Sequence, residues 1–286
     1  MTGGALVLKF GGESLATPGR LRLAARRVRA HRRSGRRPVA VASAMGRTTD
    51  RIVERIRGAA PGDGAGAAPR EADRALATGE EQAAALLALA LSDTGLEAVS
   101  LRGGEAGLRA EGPHGKGRIA HVDVSRLRGL LDDGLVPVVC GFQAARPDGE
   151  TVTLGRDSSD LTAVALAAEL GAGCHLVTDV EGVHRRDPGD AGAGEPLGRL
   201  DHDELLRIVE AGAEVVHPAA ARLARDRRVP LLVYSFRCPR PGGGGTRVEP
   251  SGRRGPEDAG GDAGPRSGGG AASGSAGPRR AGGVAG

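Results

Sequence analysis

LVLKFGGESL, residues 6–15, runs three apolar residues into a lysine, an aromatic, two glycines, an acid and a serine. With Ala5 it reads as a buried strand over 5–10 (ALVLKF) that opens into a glycine loop. The lysine is unusual for this chain. Of 40 basic side chains only Lys9 and Lys116 are lysine, and the rest are arginine. Arginine offers a broad planar fork, lysine a compact ammonium on a thin stem. A position that keeps lysine against such a bias suits a need for a point charge. The alternative is a chance surface lysine at a strand end.

Outward from that strand, elements alternate. A helix is expected at 18–33, capped by Thr17 with Pro18 in its first turn. PVAVAS (38–43) is a second strand, and 48–58 a helix. PGDGAGAAP (61–69) reads as a flexible loop, and 70–91 as a long helical region broken or bent near Gly79. Strands at 97–101 and 117–121, a helix at 124–133 and a strand at 135–142 follow. After a turn at 148–150 come a helix at 159–170, a strand at 174–180 and a polar loop at 184–198. Helices at 202–211 and 215–227 precede a strand at 230–235. Continuous apolar strands alternating with helices indicate an α/β domain with a mainly parallel sheet covered on both faces. From about Glu249 to Gly286 the chain is Gly, Ala, Ser, Pro, Arg and acids. It cannot bury enough surface to offset ordering entropy, so a disordered tail is expected over 249–286.

Composition narrows the function classes. No apolar run reaches the ~18 residues of a membrane span, and the N-terminus lacks signal-peptide character. Cys140, Cys174 and Cys238 are odd in number and far apart, which argues against a disulfide framework or zinc site and fits a reducing cytoplasm. The net charge of +5 comes from arginine, densest over 20–37. With 1% aromatic residues there are no stacking platforms, so the arginine-rich helix is read as a solvated face and no nucleic-acid partner is expected.

Four stretches sit where a strand meets a loop or helix, the place where ligands bind in open α/β sheets. KFGGES brings Lys9 and the N–H groups of Gly11 and Gly12. SAMGRTTD (43–50) brings hydroxyls at a helix start, TGEE (78–81) brings Glu80, and LGRDSSD (154–160) opens a helix with an arginine, serines and acids. Each is weak singly. Together they suit a ligand with a carboxylate and an amine beside a phosphate chain.

These stretches, with HGKGRI (114–119), VPVVCGFQ (136–143), VTDVEGVHRRDP (177–188) and AGAEVVHP (211–218), stand in the order of the aspartate kinase catalytic domain, which residues 5–248 resemble. The resemblance implies an amino-acid kinase fold, a three-layer sandwich with a central, mainly parallel sheet. Its acceptor-binding lobe would be 1–150 and its nucleotide-binding lobe 151–248. It implies ATP and Mg2+ as cofactors, with no metal-ligating side chain assigned, and ATP-dependent phosphorylation of aspartate to 4-phospho-L-aspartate. Lys9 would stabilise charge on the transferring phosphoryl group, and Asp160 would organise that lysine. Ser14, Ser43, Thr49, Glu80, Arg156 and Ser159 would bind aspartate, Arg156 through a carboxylate and Glu80 through the amino group. Lys9, Gly11, Gly12, Thr178, Asp179 and His184 would bind the nucleotide. A cytoplasmic homo-oligomer with aspartate and ATP as its small-molecule partners, and no membrane partner, is expected.

The chemistry fits that inventory. A side-chain carboxylate with a pKa of about 3.9 is already ionised at neutral pH and needs no general base. The obstacle is repulsion between two anions, which alignment and charge neutralisation overcome. The scattered histidines are therefore read as structural or surface. Departures from the family pattern lie mainly on the ATP side: Glu214 where a lysine is usual, His184 for a tyrosine, and Gly189 for an arginine, with Arg185 and Arg186 close by. Asp157 and Ser158 replace small residues before Ser159. These keep two alternatives open, another carboxylate or amino-acid acceptor on the same fold, and a binding subunit with little turnover. Aspartate kinases commonly carry C-terminal ACT regulatory domains. The match stops near Val248, so feedback inhibition through such domains is not expected.

Overall fold

The computed structural model describes residues 3–59, 69–185, 194–239 and 244–250. Residues 61–68 of the expected flexible loop, 186–193 of the polar loop (with Arg186 and Gly189) and the tail from 251 onward lie outside these.

Strand β1 (Ala5–Phe10) is the expected ALVLKF run, and it leads into a short helix α1 (Gly12–Leu15). Helix α2 (Pro18–Arg33) begins where Pro18 and Thr17 place it, the Thr17 hydroxyl accepting from the Arg20 N–H at 3.3 Å. Strand β2 (Arg37–Ala42), helix α3 (Thr48–Ala59) and helix α4 (Pro69–Ser92) follow. Helix α4 is one element through Gly79, with no break there. Next come β3 (Ala98–Leu101), β4 (Leu108–Glu111), β5 (Arg118–Val122), α5 (Ser125–Asp132) and β6 (Val136–Cys140). Then come β7 (Gln143–Ala145), β8 (Thr151–Thr153), α6 (Ser159–Leu170) and β9 (Gly173–Thr178). The described chain ends with β10 (Arg199–Asp201), α7 (His202–Glu210), α8 (Pro218–Asp226), β11 (Leu231–Ser235) and β12 (Thr246–Glu249).

Eight strands form the main sheet in the order β10-β12-β11-β9-β1-β2-β6-β3. All its pairings are parallel except β11 with β12. β1 sits between β2 and β9, with Lys9 level with Val41 and Leu176. A smaller sheet has the order β5-β4-β7-β8. One face of the main sheet packs on α2 and α4 through Leu6, Leu8, Phe10, Leu21, Val28, Leu87 and Leu91. The other packs on α5 to α8 through Val7, Val41, Leu176, Leu127, Val164, Leu166, Leu205 and Ala220. This is the expected three-layer α/β architecture. Helix α6, buried nearly all round, lies in the second layer with its first turn at the strand ends.

Several expectations are corrected. The 135–142 run is not one strand: β6 stops at Cys140, and Phe142, at φ 67°, turns the chain into β7 of the smaller sheet. The second late helix starts at Pro218 rather than 215, because proline is suited to a first turn and His217 caps it by accepting from Ala219 N–H. α1, β4, β7, β10 and β12 have four residues or fewer, too few to carry a period. Glu249, the expected start of the tail, pairs with Asp201 as the last residue of β12. Residue 150, where the two expected lobes would meet, lies between β7 and β8, which pair as a hairpin.

Gly141 joins β6 to α6 by close approach. A Cβ there would lie 2.6 Å from Ser159 Oγ and 3.1 Å from Ser159 Cα. Gly141→Ala therefore pushes the start of α6 off the sheet, an overpacking cost of about 1–3 kcal/mol. We expect a clear fall in the midpoint of thermal unfolding, read by circular dichroism.

Candidate functional site

Side chains of a strand alternate faces, so Lys9 shares the face of Val7, toward α6. It stands one residue from the strand's carboxyl end. There its Nζ lies 2.8 Å from Asp160 Oδ1, with the two side chains 15% and 11% exposed. Asp160 is in the first turn of α6, where the positive end of the helix dipole favours an anion. Its other oxygen accepts from His217 N–H at 3.1 Å. A carboxylate held by a helix end, an ammonium and a backbone donor is a fixed partner that aims the lysine.

The pair opens on a cleft of about 730 Å³, within the size range of small-molecule sites. Of the residues expected from sequence, Lys9, Gly12, Ser43, Thr49, Glu80, Arg156, Ser159, Asp160 and Thr178 line it. Glu80 is buried on α4. Its Oε1 accepts from Ala44 N–H at 3.0 Å, and its Oε2 has no partner. Burial, partly opposed by that hydrogen bond, pushes its pKa up to about 7. Arg156 reaches across to Asp50, with Nη2 3.1 Å from Oδ1. Gly12 is pressed against the loop after β2: a Cβ there would lie 2.7 Å from the Ala44 carbonyl oxygen.

Four residues are placed differently from expectation. The Gly11 N–H donates to the Val177 carbonyl at 3.0 Å, extending the β1–β9 ladder, so it is not a free anion donor. Ser14 is buried and its hydroxyl donates to the Gly11 carbonyl at 2.6 Å, fixing the turn rather than lining the cleft. Asp179 and His184 also lie outside the lining. The Asp179 carbonyl accepts from Arg237, and His184 Nδ1 contacts the Gly194 carbonyl at 3.1 Å.

The cleft also contains residues that the sequence reading did not single out: Glu13, Asp50, Phe142 and His217, whose N–H holds Asp160. Phe142 and His217 fall inside the quoted VPVVCGFQ and AGAEVVHP stretches, the only signal that pointed to them. Asp157 and Glu214 line the wall as well, Asp157 in the left-handed region at φ 59°. Six carboxyl groups thus face the cleft beside two cations, Lys9 and Arg156, although the chain as a whole is basic. Among the described residues no cluster of three or more His, Cys, Asp or Glu is arranged for a metal ion, and no helix is long and apolar enough to cross a membrane.

The raised Glu80 pKa carries a stability signature. The folded protein keeps this proton up to about pH 7, whereas an unfolded glutamate loses it near 4.5. The unfolded state therefore binds fewer protons between these values, and stability falls as pH rises through that window. Denaturant titrations from pH 4.5 to 7.5 are expected to show this decline relative to Glu80→Gln, which lacks the titrating group.

Comparison with known proteins agrees with the fold. The family model described as "Amino acid kinase family" matches residues 4–235. The aspartokinase of Geobacillus stearothermophilus is 42% identical over 233 residues, 81% of this chain and 56% of that protein. Aspartokinase 2 of Bacillus subtilis is 41% identical over the same extent. The crystal structure of an aspartate kinase from Synechocystis superposes with a TM-score of 0.74 at 36% identity, covering 88% of this chain and 41% of that one. The chain thus spans little more than half the length of the curated relatives it matches. On the family model and these identities, the chain belongs to the amino acid kinase family.

Proposed function

We propose that this chain transfers the γ-phosphoryl group of ATP to the side-chain carboxylate of L-aspartate, forming 4-phospho-L-aspartate. The observation that carries the reading is the Lys9–Asp160 pair at the wall of a cleft that also holds Glu80, a buried carboxylate with one free oxygen. The relatives named aspartokinases support the choice of acceptor.

In this reading Lys9 meets the charge that builds on the transferring phosphoryl group, and Asp160 keeps the ammonium from swinging away. Glu80 Oε2 takes the acceptor's ammonium group, a charge-assisted bond that repays its burial. Arg156 grips a carboxylate, and Ser43, Thr49 and Ser159 offer hydroxyls. Gly12 and Thr178 lie on the nucleotide side. The acceptor's nucleophilic carboxylate is ionised and needs no base. Magnesium ordinarily travels with the nucleotide and is bound by one or two carboxylates plus phosphate oxygens. The cleft fits that habit, since Asp157 has no partner among the described residues and would provide one carboxylate. When bound, the ion supplies further charge neutralisation. We place the protein in the cytoplasm, where its three free cysteines suit a reducing milieu, and expect it to self-associate.

A second reading, a binding subunit with little turnover, is favoured by one observation: Glu214 lines the cleft, where its charge opposes a triphosphate. One assay separates the two. Protein with ATP, Mg2+, aspartate and hydroxylamine should yield aspartyl hydroxamate, since hydroxylamine traps an acyl phosphate. Tight binding of aspartate or ATP without hydroxamate would favour the second reading, and hydroxamate from another acceptor alone would move the substrate.

Two variants sharpen this. Lys9→Met is expected to lower kcat by about 10²–10³, as removal of a preorganised charge stabiliser does, with a thermal melt confirming that the variant is folded. Glu214→Lys is expected to lower the KM for ATP while leaving the KM for aspartate nearly unchanged, measured by initial rates.

A further inference from the structure

Arg156 lies in the turn between β8 and α6, and its side chain is 76% exposed. An arginine so exposed samples many rotamers, and ordering it on a ligand is costly. Its one acidic partner among the described residues is Asp50, in the first turn of α3. The contact uses a single arm: Nη2 donates to Asp50 Oδ1 at 3.1 Å, while Nε and Nη1 make no bond among the described residues. The second Asp50 oxygen is not idle. Oδ2 faces Arg47 Nε at 3.6 Å, so each carboxylate oxygen has its own arginine.

From this geometry we propose that Asp50 is a positioning residue for the acceptor. It holds Arg156 by one Nη2 hydrogen and leaves a two-donor edge of the guanidinium, the second Nη2 hydrogen with Nε or Nη1, open to a carboxylate in two parallel hydrogen bonds. This rests on the proposed phosphoryl transfer, in which Arg156 grips the acceptor. Asp50 then touches neither substrate. It lowers the ordering cost of the group that does.

The test is kinetic, on the full chain. Asp50→Ala should raise the KM for aspartate about fivefold, the most that an exposed ion pair usually supplies, while the KM for ATP holds within about twofold. Asp50→Glu should recover most of the loss. In an Arg156→Ala background Asp50→Ala should have little further effect on acceptor KM, because neighbours acting through one group are not additive. An unchanged acceptor KM in Asp50→Ala, equal rises in both KM values, or a full effect persisting without Arg156 would overturn the assignment. If wild-type protein yields no hydroxamate, the proposed reaction fails and takes this assignment with it. If wild type is active and the variants behave as in any of the three overturning cases, only the role of Asp50 falls.

Discussion

The structure is organised around one ion pair. Lys9 and Asp160 come from elements about 150 residues apart in sequence, a central strand and the first turn of a buried helix. Both charges are largely removed from water. Breaking such a pair by removing one partner leaves an uncompensated buried charge, at a cost of about 3–5 kcal/mol. The surroundings tie both partners down. β1 is held on both sides by parallel neighbours, α6 is packed on nearly every face, and His217 N–H holds the second Asp160 oxygen. The ammonium therefore has a fixed position at the carboxyl edge of the sheet, where ligands bind in folds of this kind.

Around that point the cleft distributes charge unevenly. A basic chain has gathered carboxyl groups where its cavity lies. Their environments differ, and so do their uses. Asp160 is paired with Lys9 and held by the His217 N–H, and serves as a strut. Glu80 is buried with a single backbone donor, so its proton affinity is raised and its free oxygen is open to a cation. Asp50 is half exposed and spans the cleft to Arg156. Asp157 occupies a left-handed backbone position that branched or bulky side chains avoid. The excess of negative charge suits a group that brings positive charge of its own.

Much of the candidate site was legible in the sequence because its residues lie in short ordered stretches at strand ends: Lys9 before two glycines, Glu80 in TGEE, Arg156 to Asp160 at a helix start. What failed was donor accounting. Gly11 looks like an anion donor beside Lys9, but the parallel ladder with β9 claims its N–H. Ser14 looks like a substrate hydroxyl, but its turn folds it back onto Gly11. A residue type at a given spacing states which bonds it can make, and neighbouring backbone decides which it does make. Asp50 went unnoticed for the converse reason, since its significance lies in a partner 106 residues away.

Taken alone, the sequence determined the order of the longer helices and strands, the parallel α/β class and the strand on which the lysine stands. These depend on local periodicity, caps and apolar runs, which are properties of neighbouring residues. Tertiary structure alone decided the rest. It set the turn at Phe142 that splits one apolar run between two sheets, and the short strands β4, β7, β10 and β12 that only pairing defines. It also decided which polar groups reach the cleft and which are consumed by the fold. Those outcomes follow from contacts between distant segments, where burial, dipoles and competition for each N–H and carboxylate are settled only once the layers have packed.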